Sequence, residues 1–431
     1  MLRIGEIGAL SAEDRRRLMN RGLEGIREAG AEASRIVGDV RRRGDDAVRE
    51  FTKQFDKVDL EDLRVAPEAI TGAENEVPPA VAKALREAAV HIRKFQELLL
   101  PRSMEASVVT GRPTWRVGVN VVPLQSAGAY VPGGTAAYPS SVLMCCLPAK
   151  VAKVQRVILC SPPMPDGTLP ATVRFAAHLA EVDEVYAVGG AQAIAAMAYG
   201  TASIAPVEKI VGPGNIWVTA AKRLVSQDVA IDFLAGPSEV LVLSDGRSGA
   251  DLAACELIAQ AEHDTHATAV VVTTDPAWAK EVDAEVESQL EDLPRKAIAE
   301  EALRRNGRIL IAASGGEALD FVNEFAAEHL VVLGQDPMPL LDKIRAAGCV
   351  FLGDHASVAL GDYCSGTNHV IPTGGEARRH SSLSSADFVR RIPYQTVTDR
   401  GIRHLGPIAA EIARSEGFEG HARAVERRMR L

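Results

Sequence analysis

An α/β fold, built from two Rossmann-like parallel-sheet domains with small helical elements at both ends, is predicted for this chain of 431 residues. Three observations predict it. Short, almost wholly apolar runs recur from about residue 117, amphipathic segments alternate with them, and Gly or Pro marks the turns between. A strand buried on both faces has no polar side to show, so it reads as a continuous apolar run that helices must cover on both faces. At ~150 residues per domain the length allows about three domains.

Residues 1 to 105 read as helices with charged faces. VPPAVAKALREAAVHIRKFQELLL repeats its apolar residues at three- and four-residue spacing, the period of an amphipathic helix. VGVNVVPLQ then reads as a strand, GAYVPGGTAAYPSS as a loop and SVLMCCLPAKVAK as a helix. Strand and helix alternate next: RVILCSPP with ATVRFAAHLAEV, EVYAVGG with AQAIAAMAYG, KIVGPG with NIWVTAAKRLVSQ, EVLVLSD with SGADLAACELIAQAEHD. ATAVVVTTD, RILIAAS, HLVVLG and CVFLG complete the strands. A crossing point between the two sheets is expected at 231–238 (IDFLAGPS), and the segment from about 385 again reads as charged helices.

Composition narrows the function. Hydrophobic residues make up 47% and charged residues 24%, proportions that fit a globular chain rather than a disordered or fibrous one. With 48 Lys and Arg against 57 Asp and Glu the formal charge is −9, which offers no footprint for a phosphate backbone, so no nucleic-acid partner is expected. The arginines at 15–17 and 41–43 sit among acids and read as solvated helix faces. No run reaches the ~18 to 20 apolar residues of a membrane span, and the first residues lack a signal peptide's apolar stretch; no membrane association and a cytoplasmic location are expected. The six cysteines stand in apolar segments without CxxC spacing, which suits reduced, buried thiols.

Several polar residues interrupt this apolar alternation. Gly-rich turns at 128–134 (GAYVPGG), 189–192 (GGAQ) and 212–215 (GPGN) lack the full GxGxxG fingerprint; they are either tight βα turns or places where a pyrophosphate approaches a helix N-terminus. In CELIAQAEHDTH, Gln260 and His263 share a helix face at i, i+3 spacing, as a surface pair or as two nitrogen and oxygen donors for a metal such as Zn²⁺. GDYCSGTNHVIPTGG places Asp362 and His369 in a Gly-rich stretch after a strand, where α/β proteins build sites beside carboxyl ends. Glu328 and His329 stand together where a helix hands over to a strand, suited to dividing acid and base work or to capping. Glu416 and His421 mark a helix start near the end of the chain.

YVPGGTAAYPSSVLM, VGPGNIWVTAAK, DFLAGPSEVLV, QAEHD, AEHL and GDYCSGTNHVIPTGG, in this order, resemble the histidinol dehydrogenase family over nearly the whole chain. Departures are Trp217 where GPGNIYV is usual, Thr367 where a proline is usual, and a stray His355 that reads as a loop residue.

The resemblance implies an NAD-dependent four-electron oxidation of L-histidinol to L-histidine through a bound aldehyde, the last step of histidine biosynthesis. It implies one Zn²⁺ per subunit held by Gln260, His263, Asp362 and His421, with Glu328 and His329 as the catalytic pair. Ser238, Gln260, His263, Glu328, Asp362, His369, Glu416 and His421 would contact substrate, and Tyr130, Gln192 and Asn215 would contact NAD. A homodimer with shared sites is implied, Glu416 and His421 serving the neighbouring subunit. On this basis the chain divides into an N-terminal helical arm (1–30), a first α/β domain (31–135 plus 237–385) with most catalytic and zinc residues, an NAD-binding second α/β domain (136–236) and a C-terminal helical element (386–431) reaching the partner. Retained Ser238, His369 and Glu416 favour histidinol over another alcohol, such as a sulfonated diol, and the intact Glu328/His329 pair argues against a non-enzymatic descendant.

Overall fold

A computed structural model describes residues 1–21, 25–107, 115–133 and 136–431, in two compact units. The larger unit, 1–99 with 125–388, contains two parallel sheets. The six-stranded sheet has the spatial order Arg3–Glu6, Arg308–Ile311, Thr268–Thr273, Glu239–Ser244, His329–Val332, Cys349–Leu352. The five-stranded sheet has the order Glu184–Ala187, Arg156–Ser161, Ser126–Tyr130, Lys209–Val211, Ala230–Ile231.

Double-sided burial explains the apolar runs. In the six-stranded sheet Val240, Val242, Val271 and Ile309 enter one core while Leu241, Leu243, Val270 and Leu310 enter the core on the opposite face. A period of two is present, but both phases are apolar. The core of the five-stranded sheet takes Ile36, Val37 and Val40 from the helix Ile26–Arg43 and Phe51 from Asp45–Phe55.

Several segments depart from what the sequence predicted. The helices of 26–55 and the segment Ser126–Tyr130, expected with the first α/β domain, join the five-stranded sheet, and Ser126–Tyr130, whose GAY was read as loop, is a fully buried strand there. Apolar periodicity reports that a face is buried, not which sheet buries it. The opening RIGE, read as helical, is an exposed edge strand held by parallel pairing with Arg308–Ile311. Val389–Val397 was expected to be helical and is instead a nine-residue strand. Its Pro393 is compatible because the strand lies at a sheet edge. Of the cysteines, Cys145, Cys146 and Cys160 are buried, whereas Cys255 and Cys364 are exposed. The arginine triplets are partly engaged: Arg15 pairs with Glu324 and Arg43 with Glu50.

The smaller unit, 100–124 with 389–431, is an antiparallel sheet ordered Val389–Val397, Trp115–Pro123, Met104–Ser107, together with the helices Asp399–Ser415 and Glu419–Arg428. Tyr394 lies opposite Gly118, where a Cβ would stand 2.5 Å from the tyrosine ring. Trp115 stacks on His404 with ring centroids 5.6 Å apart.

The GPGN turn is pinned from beneath. Gly212 adopts φ +113°, and a Cβ there would meet the Tyr130 carbonyl oxygen at 2.0 Å, so only glycine fits. Its N–H donates to Asp232 at 2.7 Å, its carbonyl accepts from the Lys222 ammonium at 3.0 Å, and Lys222 pairs with Asp232. Both charged side chains are at most 2% exposed. Lys222→Met should therefore lower the unfolding free energy in a denaturant titration by about 3–5 kcal/mol, because Asp232 is left buried and unpaired. Combining it with Asp232→Leu should recover part of that loss. A single variant within about 1 kcal/mol of the parent would contradict the pinning.

Candidate active site

The catalytic candidates gather at the amino ends of the six-stranded sheet, not at its carboxyl ends. Ser238 directly precedes the strand Glu239–Ser244, Gln260 stands in the last turn of the helix Ala250–Ala261, and His329 opens its own strand. His263, expected on the same helix face as Gln260, lies instead in the turn just past that helix, whose C-cap is Glu262. Asp362, expected in a structureless stretch, sits on the short helix Val358–Tyr363. From there it reaches the amino end of His329–Val332.

Glu328 and His329 are 5% and 4% exposed, and a tight turn places them there. The helix Gly315–Phe325 ends in the left-handed conformation at Ala326 (φ 51°), which swings the chain into the strand that starts at His329. Glu239, on the neighbouring strand, holds both residues. Its N–H donates to Glu328 Oε2 at 2.7 Å, and its side-chain Oε1 accepts from the Glu328 N–H at 3.1 Å. Its carbonyl lies 3.1 Å from His329 Nδ1. A carbonyl can only accept, so Nδ1 carries the proton and Nε2 is the atom left for chemistry. Arg21 neutralises Glu239 through two contacts, Nη2 to Oε1 at 2.9 Å and Nε to Oε2 at 2.5 Å, while its guanidinium lies 3.3 Å from the Phe325 ring centroid. The sequence did not single out Arg21 or Glu239. The signal available was Glu239 itself, an acid at the head of an otherwise apolar strand.

His329 Nε2 faces Asp362 Oδ1 at 3.3 Å, close enough to attract but not aligned as a hydrogen bond, so both buried atoms lack a hydrogen-bond partner. Burial pushes the Glu328 carboxyl up to about 8, with the His329 charge pulling against it. Burial opposes the charge on His329, but Glu328 and Asp362 together hold it up to about 9. Asp362 is lowered despite its burial, because His329, His369 and His263 all favour its anion. His263 is exposed, but the loss of water around its ring lowers its pKa, which favours the neutral imidazole, the form that ligates metals.

Gln260 is 4% exposed, and His263 follows it three residues on. Glu256, which no sequence motif marked, precedes Gln260 by four residues; its carboxylate accepts from Val358 N–H at 3.2 Å and feels the charges of His329 and Asp362. His369 Nδ1 bonds the Asp362 carbonyl at 2.8 Å and its Nε2 meets Ser141 Oγ at 3.1 Å, so both ring nitrogens are engaged. Glu416 and His421 lie in the smaller unit, exposed, with the His421 ring 5.4 Å from that of Phe418. His355 is exposed, as expected of a loop residue; Cys364, read as a buried filler, is exposed too. Among the described residues no group of three or more His, Cys, Asp or Glu stands ready to hold a metal.

A second feature occupies the carboxyl ends of the five-stranded sheet. A cavity of about 820 Å³ is lined by Tyr130, Gln192 and Asn215 from the three Gly-rich turns. Gly134 of the first turn lies outside the described residues. The Tyr130 hydroxyl accepts from the Gly190 N–H at 3.1 Å, and Asn215 caps the helix Ile216–Val225 by accepting from the N–H groups of Trp217 and Val218, each at 3.1 Å. Gln192 is 1% exposed, and neither its amide oxygen nor its amide nitrogen has a partner. Buried amides are rarely left so, which fits a site shaped for a polar ligand.

The Arg21–Glu239 pair makes a stability prediction. Arg21→Met should cost about 3–5 kcal/mol in denaturant unfolding by leaving the 2%-exposed Glu239 carboxylate uncompensated. A loss below about 1 kcal/mol would show that Glu239 does not depend on Arg21.

The histidinol dehydrogenase family model matches residues 19–429. The histidinol dehydrogenase of Methanothermobacter thermautotrophicus is 47% identical over 92% of each chain, and that of Methanosarcina mazei is 42% identical over 98% of this chain and 97% of its own. The crystal structure of histidinol dehydrogenase from Elizabethkingia anophelis superposes with a TM-score of 0.94 at 34% identity, covering all of this chain and 98% of the other. With the fold, the paired Glu328 and His329 and these similarities together, the chain belongs to the histidinol dehydrogenase family.

Proposed function

We propose that this chain oxidises L-histidinol to L-histidine with Glu328 and His329 as its catalytic residues. The observation that carries this is the ring of His329, fixed by the Glu239 carbonyl so that Nε2 points at the polar cluster around Asp362. The substrate's primary alcohol gives up hydride once to become an aldehyde and, as the aldehyde's hydrate, a second time to become a carboxylate. NAD, when bound, supplies the acceptor for each hydride. With its ring neutral, the form that deprotonation on the alkaline side supplies, His329 Nε2 takes the alcohol proton as the first hydride leaves. Glu328, raised into the range where it exchanges protons near neutrality, then draws a proton from the water that adds to the aldehyde.

Tyr130, Gln192 and Asn215 suit the cofactor: they line one cavity, and both polar atoms of the buried Gln192 amide lack a hydrogen-bond partner. Gln260, His263 and Asp362 suit Zn²⁺ by donor type, by a neutral imidazole beside an ionised carboxylate, and by the orphaned Asp362 Oδ1. Zinc, when bound, would hold the substrate's nitrogens and so fix the reacting carbon. Three donors from this unit leave room for His421 of the partner subunit in a homodimer. Ile408, Ile412 and Phe418, each more than half exposed on the smaller unit, are consistent with a partner covering them. Ser238, His369 and Glu416 complete the substrate contacts. Six free cysteines suit a reducing cytoplasm, and no helix among the described residues is long and apolar enough to cross a membrane.

Purified protein given histidinol, NAD⁺ and Zn²⁺ should release two NADH per histidine; one NADH with free aldehyde would contradict the proposal. Glu328→Gln should slow aldehyde oxidation roughly 10²–10⁴-fold and alcohol oxidation much less, and equal losses would undo its assignment to the water step. Mixing inactive His329→Ala with inactive His421→Ala protein should restore partial activity if sites are shared. No recovery after verified subunit exchange would count against sharing.

A further inference from the structure

Asp56 is a half-buried acid whose surroundings give its carboxyl no partner. It closes the helix Asp45–Phe55 as its C-cap, the end where the helix dipole and the terminal carbonyls disfavour a negative charge. Its Oδ2 is buried without a hydrogen-bond partner, and burial pushes the carboxyl up to about 6. It lines the same cavity as Tyr130 and Gln192. Glu32, the other acid there, is neutralised by Arg35 at 2.6 Å, and no Lys, Arg or His is among the described lining residues. Phe55, beside Asp56, presents a 46%-exposed ring to the same space.

We propose that Asp56 receives the vicinal hydroxyls of the adenosine ribose and makes the cavity selective for the dinucleotide without a 2′-phosphate. The inference rests on the cavity being the NAD site. An ionised carboxylate has two acceptor oxygens and a ribose diol has two O–H donors, so the match satisfies the orphaned atom. Phe55 offers an adenine a face to stack on, which sets the adenosine end here rather than the nicotinamide end. A 2′-phosphate brought to the same place would set ~1.5 to 2 negative charges against Asp56 with no lining cation to receive them.

Binding measured by nicotinamide fluorescence tests this without turnover. The parent should bind NADH roughly 100-fold more tightly than NADPH, and NADH lacking the adenosine 2′-hydroxyl should bind roughly 10-fold more weakly than NADH. Asp56→Asn should shrink the NADH/NADPH preference at least about tenfold and make the 2′-deoxy probe bind nearly as well as NADH. The variant's melting temperature should equal or exceed the parent's, because an unpaired acid has been removed from a helix C-terminus. An unchanged preference, or a lowered melting temperature, would overturn the role of Asp56. A parent that binds neither NADH nor NADPH would instead overturn the cavity's assignment to NAD, on which the proposal rests. Asp56→Ser gives the same readout in a second background.

Discussion

The hydrogen bonds around Glu239 are the constraint on which the rest of the site depends. One residue uses its N–H, its carbonyl and its carboxylate to hold the Glu328–His329 turn, and the same carboxylate accepts from Gly374 N–H at 3.1 Å. The amino end of the strand allows this, because pairing with His329–Val332 starts only at Val240 and leaves the Glu239 N–H and carbonyl on that side free for the turn. The charge that makes it work has to be neutralised in a dry place, and Arg21 does so from the N-terminal segment. Positioning and burial are thus one feature: the network that fixes His329 also excludes water from it.

The two sheets divide the labour by opposite ends. At the carboxyl ends of the five-stranded sheet, glycine turns lead into helix N-termini, the usual setting for a dinucleotide. At the amino ends of the six-stranded sheet, the side chains that would handle protons and metal converge on Asp362, whose anion His329, His369 and His263 all stabilise. His369 ties the two regions, bonding the Asp362 carbonyl through one nitrogen and Ser141, on the helix Pro139–Val151, through the other. Placing the reacting carbon against a nicotinamide then becomes a matter of how these two ends face each other across one unit.

Much of this was legible in the sequence, for identifiable reasons. Doubly buried strands announce themselves as apolar runs, so each strand from Arg156–Ser161 through Cys349–Leu352 was visible apart from the two-residue Ala230–Ile231, whereas the small residues of Ser126–Tyr130 read as loop. Gln260 was legible from its helix, although His263, expected on the same helix face, falls in the turn after it, and Glu328 with His329 stood out as charged residues inside an apolar handover. What stayed hidden depended on partners far along the chain. The edge strand Arg3–Glu6 has no apolar pattern of its own and exists because Arg308–Ile311 offers it a ladder. Val389–Val397 carries charges that suit a helix face equally well until its pairing with Trp115–Pro123 decides the matter. Arg21, 218 residues from Glu239, and Asp56, isolated at a helix end, give no local signal at all.

The orientation of the His329 ring is the most direct test of this account. Nitrogen NMR of histidine-labelled protein, with the His329 signal identified by its loss in His329→Gln, reports which ring nitrogen holds the proton once the imidazole is neutral at alkaline pH. The Glu239 carbonyl predicts the Nδ1–H form with Nε2 unprotonated. A neutral ring protonated on Nε2 would leave the proposed base facing the wrong way and would contradict the account.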